Sequence, residues 1–404
     1  DVLGSRGLGD VYKRQELEET GKVASTGFYA NTVNQKFTFD ATDKLSFYAR
    51  GGYYDNKTRR PYEAYDYNIL HETFNYGIGA QYMINKGNYI TADCYADHFS
   101  SSYCFFKDNK TYNGKAGEEQ VRKRTRNHNL SIKGIFKLGN RHKLSVGTEY
   151  IVDVLKSQTD NIAKEDAYTL ALFAQDEIKL LRNLQALIGV RYIYHENFKN
   201  HATPNVALMY KPGKFNFRAS YAAGFRTPTL SELYATDIAK KNDRLTIGNL
   251  DLKPEKNNYF SLSAEYVHER FSVSVNAFYN NIRDMIDYNT IATGDKAMEQ
   301  YGHKEVRQRD NIAEAKVHGI NVSANAYLGA GFNLSGGYTH LNTQDVELEQ
   351  PIDKSIKNAY NINAQWAHSW KIYRLNINLN GRFNSKRFSK SYGYAPEYLS
   401  LIHI

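Results

Sequence analysis

The side chains able to do chemistry in this chain are few in kind. It carries 12 histidines and 2 cysteines. Cys94 and Cys104 are too few for a disulfide framework or a four-ligand zinc site. Gly-x-Ser-x-Gly, His-Glu-x-x-His and a phosphate-binding glycine loop are all missing, so neither hydrolysis nor phosphoryl transfer has a signature. Abundance lies elsewhere, in 33 tyrosines, 20 phenylalanines and 52 basic residues. Arg59, Arg60, Tyr62, Tyr65 and Tyr67 crowd one long polar segment, and Tyr288, Tyr301, Arg307 and Arg309 surround another. Ring stacking with guanidinium pairing would hold a planar, anionic ligand without covalent chemistry. The same tyrosines would also serve as an interfacial belt in a membrane, the reading preferred for Tyr53, Tyr54, Tyr192 and Tyr194.

The elements that must position these groups are strands. Period-two alternation runs from about residue 22 to residue 390. In 374–384, Leu375, Ile377, Leu379 and Phe383 share one face while Arg374, Asn376, Asn378, Asn380, Arg382 and Asn384 share the other. Turn signals cut the chain into sixteen strands near 22–40, 44–56, 74–85, 88–105, 119–138, 142–158, 166–181, 184–198, 202–212, 214–226, 255–269, 271–290, 306–328, 331–343, 357–369 and 372–388. Their connections alternate between tight turns, such as Lys86-Gly87 and Arg182-Asn183, and long polar segments at 57–73, 106–118, 227–254, 291–305 and 344–356. The connection near 199–201 breaks that alternation by being short.

Long strands with one apolar face need a cover for it. No stretch approaches the ~18 uninterrupted apolar residues of a spanning helix, and mean hydropathy is −0.62. In hydrocarbon every backbone group must be paired internally, which for strands means a closed barrel. Strand length, apolar/polar alternation and turns sorted by end all fit a transmembrane antiparallel β-barrel. A soluble all-β protein would alternate in the same way, but with short strands. The net charge of +9 needs no nucleic-acid partner, because no nucleic-acid-binding module accompanies it. Arg122, Arg124 and Arg126 stand in register with His128, Leu130 and Ile132. One face of that strand therefore passes from cationic to apolar, as would suit lipid phosphates above a lipid band or simple solvation.

Barrel physics alone does not separate porins, outer-membrane lipases and importers. The middle of the chain does. Gly224-Phe225-Arg226-Thr227-Pro228-Thr229-Leu230-Ser231-Glu232-Leu233-Tyr234 resembles the FRAP-type box of TonB-dependent outer-membrane receptors. Gly248-Asn249-Leu250-Asp251-Leu252-Lys253-Pro254-Glu255 resembles their NPNL-type box. Residues 276–286 and 311–320 are similar to the two strand motifs that follow, and order and spacing match across 214–340. Within these boxes Pro228 has no N–H with which to continue a ladder, Thr229 suits a helix N-cap, and Glu255 restarts a strand. Folding and loop anchoring, or direct ligand contact, would each explain them.

The resemblance implies a 22-stranded barrel with an N-terminal plug, in the outer membrane of a Gram-negative bacterium. Such a receptor imports a scarce nutrient with energy from the TonB complex. It implies outer-membrane lipid and a small-molecule chelate as further partners, with no resident cofactor, no nucleic acid and no enzymatic activity. The expected organisation is an irregular or non-native segment at 1–21, a partial barrel at 22–398 carrying about 16 of the 22 strands, and a non-native scar at 399–404. The plug and its TonB-contacting segment are expected to lie outside this sequence.

A ferric siderophore or other iron chelate fits the cationic and aromatic loops, with Arg226 as a further candidate contact. Haem and cobalamin are the alternatives within the family, and a passive porin or a lipase the alternatives outside it. Haem receptors commonly carry a histidine between the two boxes, whereas 227–248 has none. His201 or His303 would have to substitute as the axial ligand.

Overall fold

The computed structural model describes residues 27–60, 66–239, 243–389, 393–395 and 398–403. Consecutive strands pair antiparallel through β1 (Phe28–Asp40), β2 (Leu45–Thr58), β3 (Tyr67–Asn85), β4 (Asn88–Phe105) and β5 (Glu119–Leu138). The meander continues through β6 (His142–Ser157), β7 (Ile162–Leu181), β8 (Leu184–His195), β9 (Lys199–Tyr210) and β10 (Phe215–Arg226). Next come a short helix α1 (Leu230–Tyr234) and a hairpin of β11 (Thr236–Ala239) and β12 (Arg244–Ile247). β13 (Glu255–Val267) then pairs directly with β10. The ladder runs on through β14 (Phe271–Thr293), helix α2 (Gly294–Tyr301), β15 (Glu305–Gly329), β16 (Phe332–Asp345), β17 (Asn358–Trp370) and β18 (Tyr373–Asn384). A two-stranded ribbon of β19 (Arg387–Ser389) and β20 (Gly393–Ala395) follows, and β21 (Tyr398–His403) pairs with β18.

All sixteen expected strands are present, in one antiparallel sheet. The sheet is not closed: β1 pairs with β2 and β21 with β18, and no register joins the two outer edges among the described residues. Strands outrun their apolar stretches at the long-loop end. β3 begins at Tyr67, seven residues before the expected start, because Asn68, His71 and Glu72 still pair with β4 although they carry no apolar alternation. β14 and β15 reach 23 and 25 residues, more than twice the 9–11 that hydrocarbon requires. The connection at 199–201 is strand instead, with Lys199 at φ 59° closing a short turn from β8. The segment 399–403 lies in β21.

Exposure is inverted relative to a water-soluble protein. Ile78 is 65% exposed, Leu262 63%, Ile188 52% and Ile362 52%, while alanine is the commonest type among the buried apolar residues. Register explains the pattern. Ala186, Leu208, Ala219, Leu262, Ala277 and Ile320 form one row across six strands, alternating small and large on the outer face. The inner face is polar and bonded across strands: Ser220 to Ser261 at 2.6 Å, Ser274 to Ser323 at 2.7 Å and Asn363 to Asn378 at 2.8 Å. A contiguous apolar wall this large needs a nonaqueous neighbour. Each large side chain on it gains ~1.5–3 kcal/mol by leaving water.

Aromatic rings border the wall. At the tight-turn end Phe215, Phe217, Tyr266 and Phe271 sit in successive ring contacts of 4.9–5.9 Å, and Phe332, Trp366 and Trp370 make another run. Toward the loops Tyr150, Tyr168 and Tyr194 form a second series. Tyr192 and Tyr53 share the outer face, opposite Leu172 and Phe74. Tyr54 does not, because adjacent strand residues point to opposite faces. It pairs with Thr73 on the inner side.

Candidate functional site

The long-loop end carries three constellations. The first is an anchor built from the two boxes. β10 stops at Arg226, after which buried Pro228 can donate nothing to a ladder. Thr229 then caps α1: its hydroxyl accepts from the Glu232 amide at 3.2 Å, and Glu232 Oε2 accepts from the Thr229 amide at 2.8 Å. This reciprocal box satisfies two amides that the helix start would otherwise leave unpaired.

Arg226 uses both edges of its guanidinium. Nε and Nη2 donate to Glu255 at 2.8 and 2.6 Å, and Nη1 and Nη2 donate to Glu232 at 2.9 and 3.2 Å. Glu255 also accepts from the Ile286 amide at 2.8 Å, so β10, α1, β13 and β14 meet at one fork. Burial pushes the Glu232 carboxyl up, but hydrogen bonds from Arg226 and the Thr229 backbone outweigh it and leave the group below the usual glutamate range.

The second box closes on the first. The Gly248 and Asn249 amides donate to the carbonyls of Ala235 and Glu232. A Cβ on Gly248 would collide with the Leu233 carbonyl oxygen, which is why glycine stands there. Asn249 Oδ1 accepts from the Asp251 amide at 2.9 Å. Asn311 clamps the exit: it accepts from the Lys253 amide at 2.7 Å and donates to the carbonyls of Lys253 and Asp284. Beneath lie Leu233, Leu252 and Ile286, with Tyr234 and Phe198 packed against them. Pro254 is buried, Thr227 half-buried, and Leu250 and Lys253 exposed.

The second constellation gathers rings and cations. Tyr67 stacks on Tyr103 at 4.0 Å, with Phe105 at 5.7 Å and Tyr112 edge-on to Tyr67 and Tyr103 at 5.7 and 5.2 Å. Arg60 lies over Tyr67 at 5.1 Å, and Arg122 over Tyr103 and Tyr112 at 5.3 and 5.0 Å. Arg122 gets there through a register shift: Ser101 pairs with Lys123 but Ser102 with Val121, so Arg122 is the extra residue of a bulge. It therefore leaves the outer face on which simple alternation places it with Arg124 and Arg126. Its Nη1 donates to Gln158 at 3.0 Å, while its Nε is buried with no partner. Burial raises the Tyr112 phenol above its usual range and keeps it a neutral donor. Of the other candidates here, Arg59 is exposed, and Tyr62 and Tyr65 lie outside the described residues.

The third constellation surrounds α2 and divides the remaining candidates. Arg309 sits over the Tyr288 ring at 3.6 Å and donates to its hydroxyl at 2.6 Å. Arg307 pairs with Glu305 at 2.5 Å. Tyr301 packs against Ala292, Ala297 and Val306. His303 Nδ1 lies 2.9 Å from Asp243, whose carboxyl that contact holds below the usual range. His201 stacks on Phe225 at 4.6 Å, with Nε2 3.0 Å from the Phe198 carbonyl. Among the described residues no group of three or more His, Cys, Asp or Glu side chains is arranged to hold a metal ion.

Sequence reading thus found Arg60 and Tyr67 but missed Tyr103, Phe105, Tyr112 and Arg122. Counting outward from the turn at Lys86-Gly87 pairs Tyr67 with Phe106; a register shift between Met83 and Asn85 moves its partner to Phe105, so sequence reading does not reach this cluster by counting alone. It likewise omitted Glu232 and Asn311, the partners that lock the boxes, from the candidate set.

Comparison with known proteins agrees with this architecture. The family described as TonB dependent receptor-like, beta-barrel matches residues 14–401. The ferric enterobactin receptor of Pseudomonas aeruginosa superposes with a TM-score of 0.79 at 15% identity, covering 93% of this chain and 62% of that one. The FrpB iron transporter of Neisseria meningitidis does so at 0.72 and 12%, covering 94% and 64%. At these identities the likeness is one of fold. Among curated proteins, Hemoglobin-binding protein A of Haemophilus influenzae is 27% identical over 222 residues, 51% of this chain and 21% of the relative. A probable hemoglobin and hemoglobin-haptoglobin-binding protein of the same species is 28% identical over 165 residues, 38% and 16%. The chain thus spans about three fifths of the solved receptors, and its matches cover about a fifth of the curated relatives. No helix among the described residues is long and apolar enough to cross a membrane; the family crosses the outer membrane with strands. The chain belongs to the TonB-dependent receptor-like β-barrel family.

Proposed function

We propose that this chain is the wall of an outer-membrane importer that takes up a ferric siderophore or similar iron chelate without covalent chemistry. TonB would supply the energy, acting through a plug that this sequence does not describe. The observation carrying the reading is the ring-and-cation cluster of Tyr67, Tyr103, Tyr112, Arg60 and Arg122 at the long-loop end. Planar rings and fixed guanidinium groups together complement a chelate that is itself planar and anionic. Arg309 on Tyr288 is a smaller pairing of the same kind. Arg226 is already engaged by two carboxylates, so its part is to position the loops.

Haem, free or from haemoglobin, is the second reading. It is favoured by the names of the curated relatives and by His303, whose Nδ1 is held by Asp243. That arrangement leaves Nε2 as the ligating nitrogen. The test is growth of an iron-starved strain whose only receptor contains this barrel. With Arg60→Ala and Arg122→Ala together, growth on ferric chelates should fail while growth on haem persists. With His303→Ala, the reverse outcome would establish the haem reading in its place.

A further inference from the structure

The outer face of β5 carries two arginines that the import function does not use. Arg124 and Arg126 are exposed and, among the described residues, have no carboxylate partner. Below them on the same face run His128, Leu130, Ile132, Gly134, Phe136 and Leu138. At about 3.4 Å per residue and a tilt near 40°, Leu130 to Leu138 covers roughly 20 Å of a hydrocarbon band ~25 Å tall. Arg126 then lies about 10 Å beyond Leu130 and Arg124 about 15 Å beyond, at headgroup level.

Neighbouring strands complete the patch. Arg126 faces His98 on β4 and Val154 on β6, and Arg124 faces Ser100 and Lys156. His98 contacts His128 at 5.5 Å and Tyr76 at 5.7 Å, and its Nε2 is buried with no partner. The nearby acids are engaged elsewhere. Glu72 accepts from Tyr53 at 2.9 Å and Ser100 at 3.4 Å, and Asp166 pairs with Lys164 at 3.1 Å. Three cations, two imidazoles and an apolar wall directly below them complement a lipid whose headgroup carries phosphate.

We propose that this face of β4, β5 and β6 binds a phosphorylated glycolipid of the outer leaflet, its phosphate held by Arg124, Arg126 and Lys156 and its acyl chains lying along Leu130 and Ile132. Binding would be measured in phosphatidylcholine nanodiscs carrying bis-phosphorylated lipid A, the same lipid with its phosphates removed, or no lipid A with inorganic phosphate added. The intact protein should retain the phosphorylated lipid and release it as salt is raised. Arg124→Gln with Arg126→Gln should weaken retention about 30-fold. Arg124→Lys with Arg126→Lys should keep most of it, and Lys133→Gln, on the other face of β5, should change nothing. Equal retention by the glutamine pair, equal retention of the dephosphorylated lipid, or displacement by inorganic phosphate at matched concentration would each overturn the proposal.

Discussion

Replacing Arg226 with alanine should open the β10–β13 connection while leaving the barrel ladder intact. The guanidinium makes four hydrogen bonds to two carboxylates whose side chains are only 13% and 15% exposed. Stranding a buried charge costs about 3–5 kcal/mol. Arg226 itself is 43% exposed, so water can replace part of what is lost, and about 2–3 kcal/mol is the reasonable figure. That corresponds to a roughly 30- to 150-fold rise in the open population. Hydrogen exchange reads it directly, because the amides of Leu233, Ala235, Gly248 and Asn249 donate to carbonyls within this anchor. They should lose protection by that factor in Arg226→Ala, with partial recovery in Arg226→Lys, which keeps the charge but not the fork. Ala222, in the ladder between β10 and β13, should not change. Unchanged protection at the four amides, or equal loss at Ala222, would refute the reasoning.

Other consequences follow from the same geometry. Gly248→Ala should raise exchange at the same amides, because its methyl group meets the Leu233 carbonyl. Glu232 is held below the ordinary glutamate value of 4.5. Its contribution to the anchor is therefore complete above that pH and lost as pH falls through the lowered folded value, which exchange at graded acidity would report. Leu262→Arg, on the lipid face, should cost about 2–4 kcal/mol of membrane-inserted stability in urea titrations, and Ser263→Arg, facing inward, far less. Asn311→Ala should free the Lys253 amide and speed its exchange, leaving β15 registered on β16.

Strands were legible because one physical demand, lipid on one flank and water on the other, repeats at every second residue. What alternation cannot see is a dislocation in itself. Arg122 looked equivalent to Arg124 until the bulge at Val121–Lys123 turned it inward. The strand starts at Tyr67 and Ile162 were invisible because polar and apolar residues mix on the same face once a strand leaves the membrane, as Asn68, Leu70 and Glu72 do. The 227–254 connection read as loop, since α1, β11 and β12 are each five residues or fewer and rest on tertiary partners, β12 lying parallel to β15. Site residues divided in the same way. Arg60 and Tyr67 share a segment with the other candidates, whereas Tyr103, Tyr112 and Arg122 join them only across register.

The account rests on hydrocarbon covering the apolar flank, and spin labels placed singly at residues 259 to 266 of the protein in bilayers measure that directly. Collisions with dissolved oxygen should peak at Phe260, Leu262, Ala264 and Tyr266, while collisions with a water-soluble nickel chelate peak at Tyr259, Ser261, Ser263 and Glu265. Oxygen and nickel profiles rising and falling together, or exchanging positions, would contradict it.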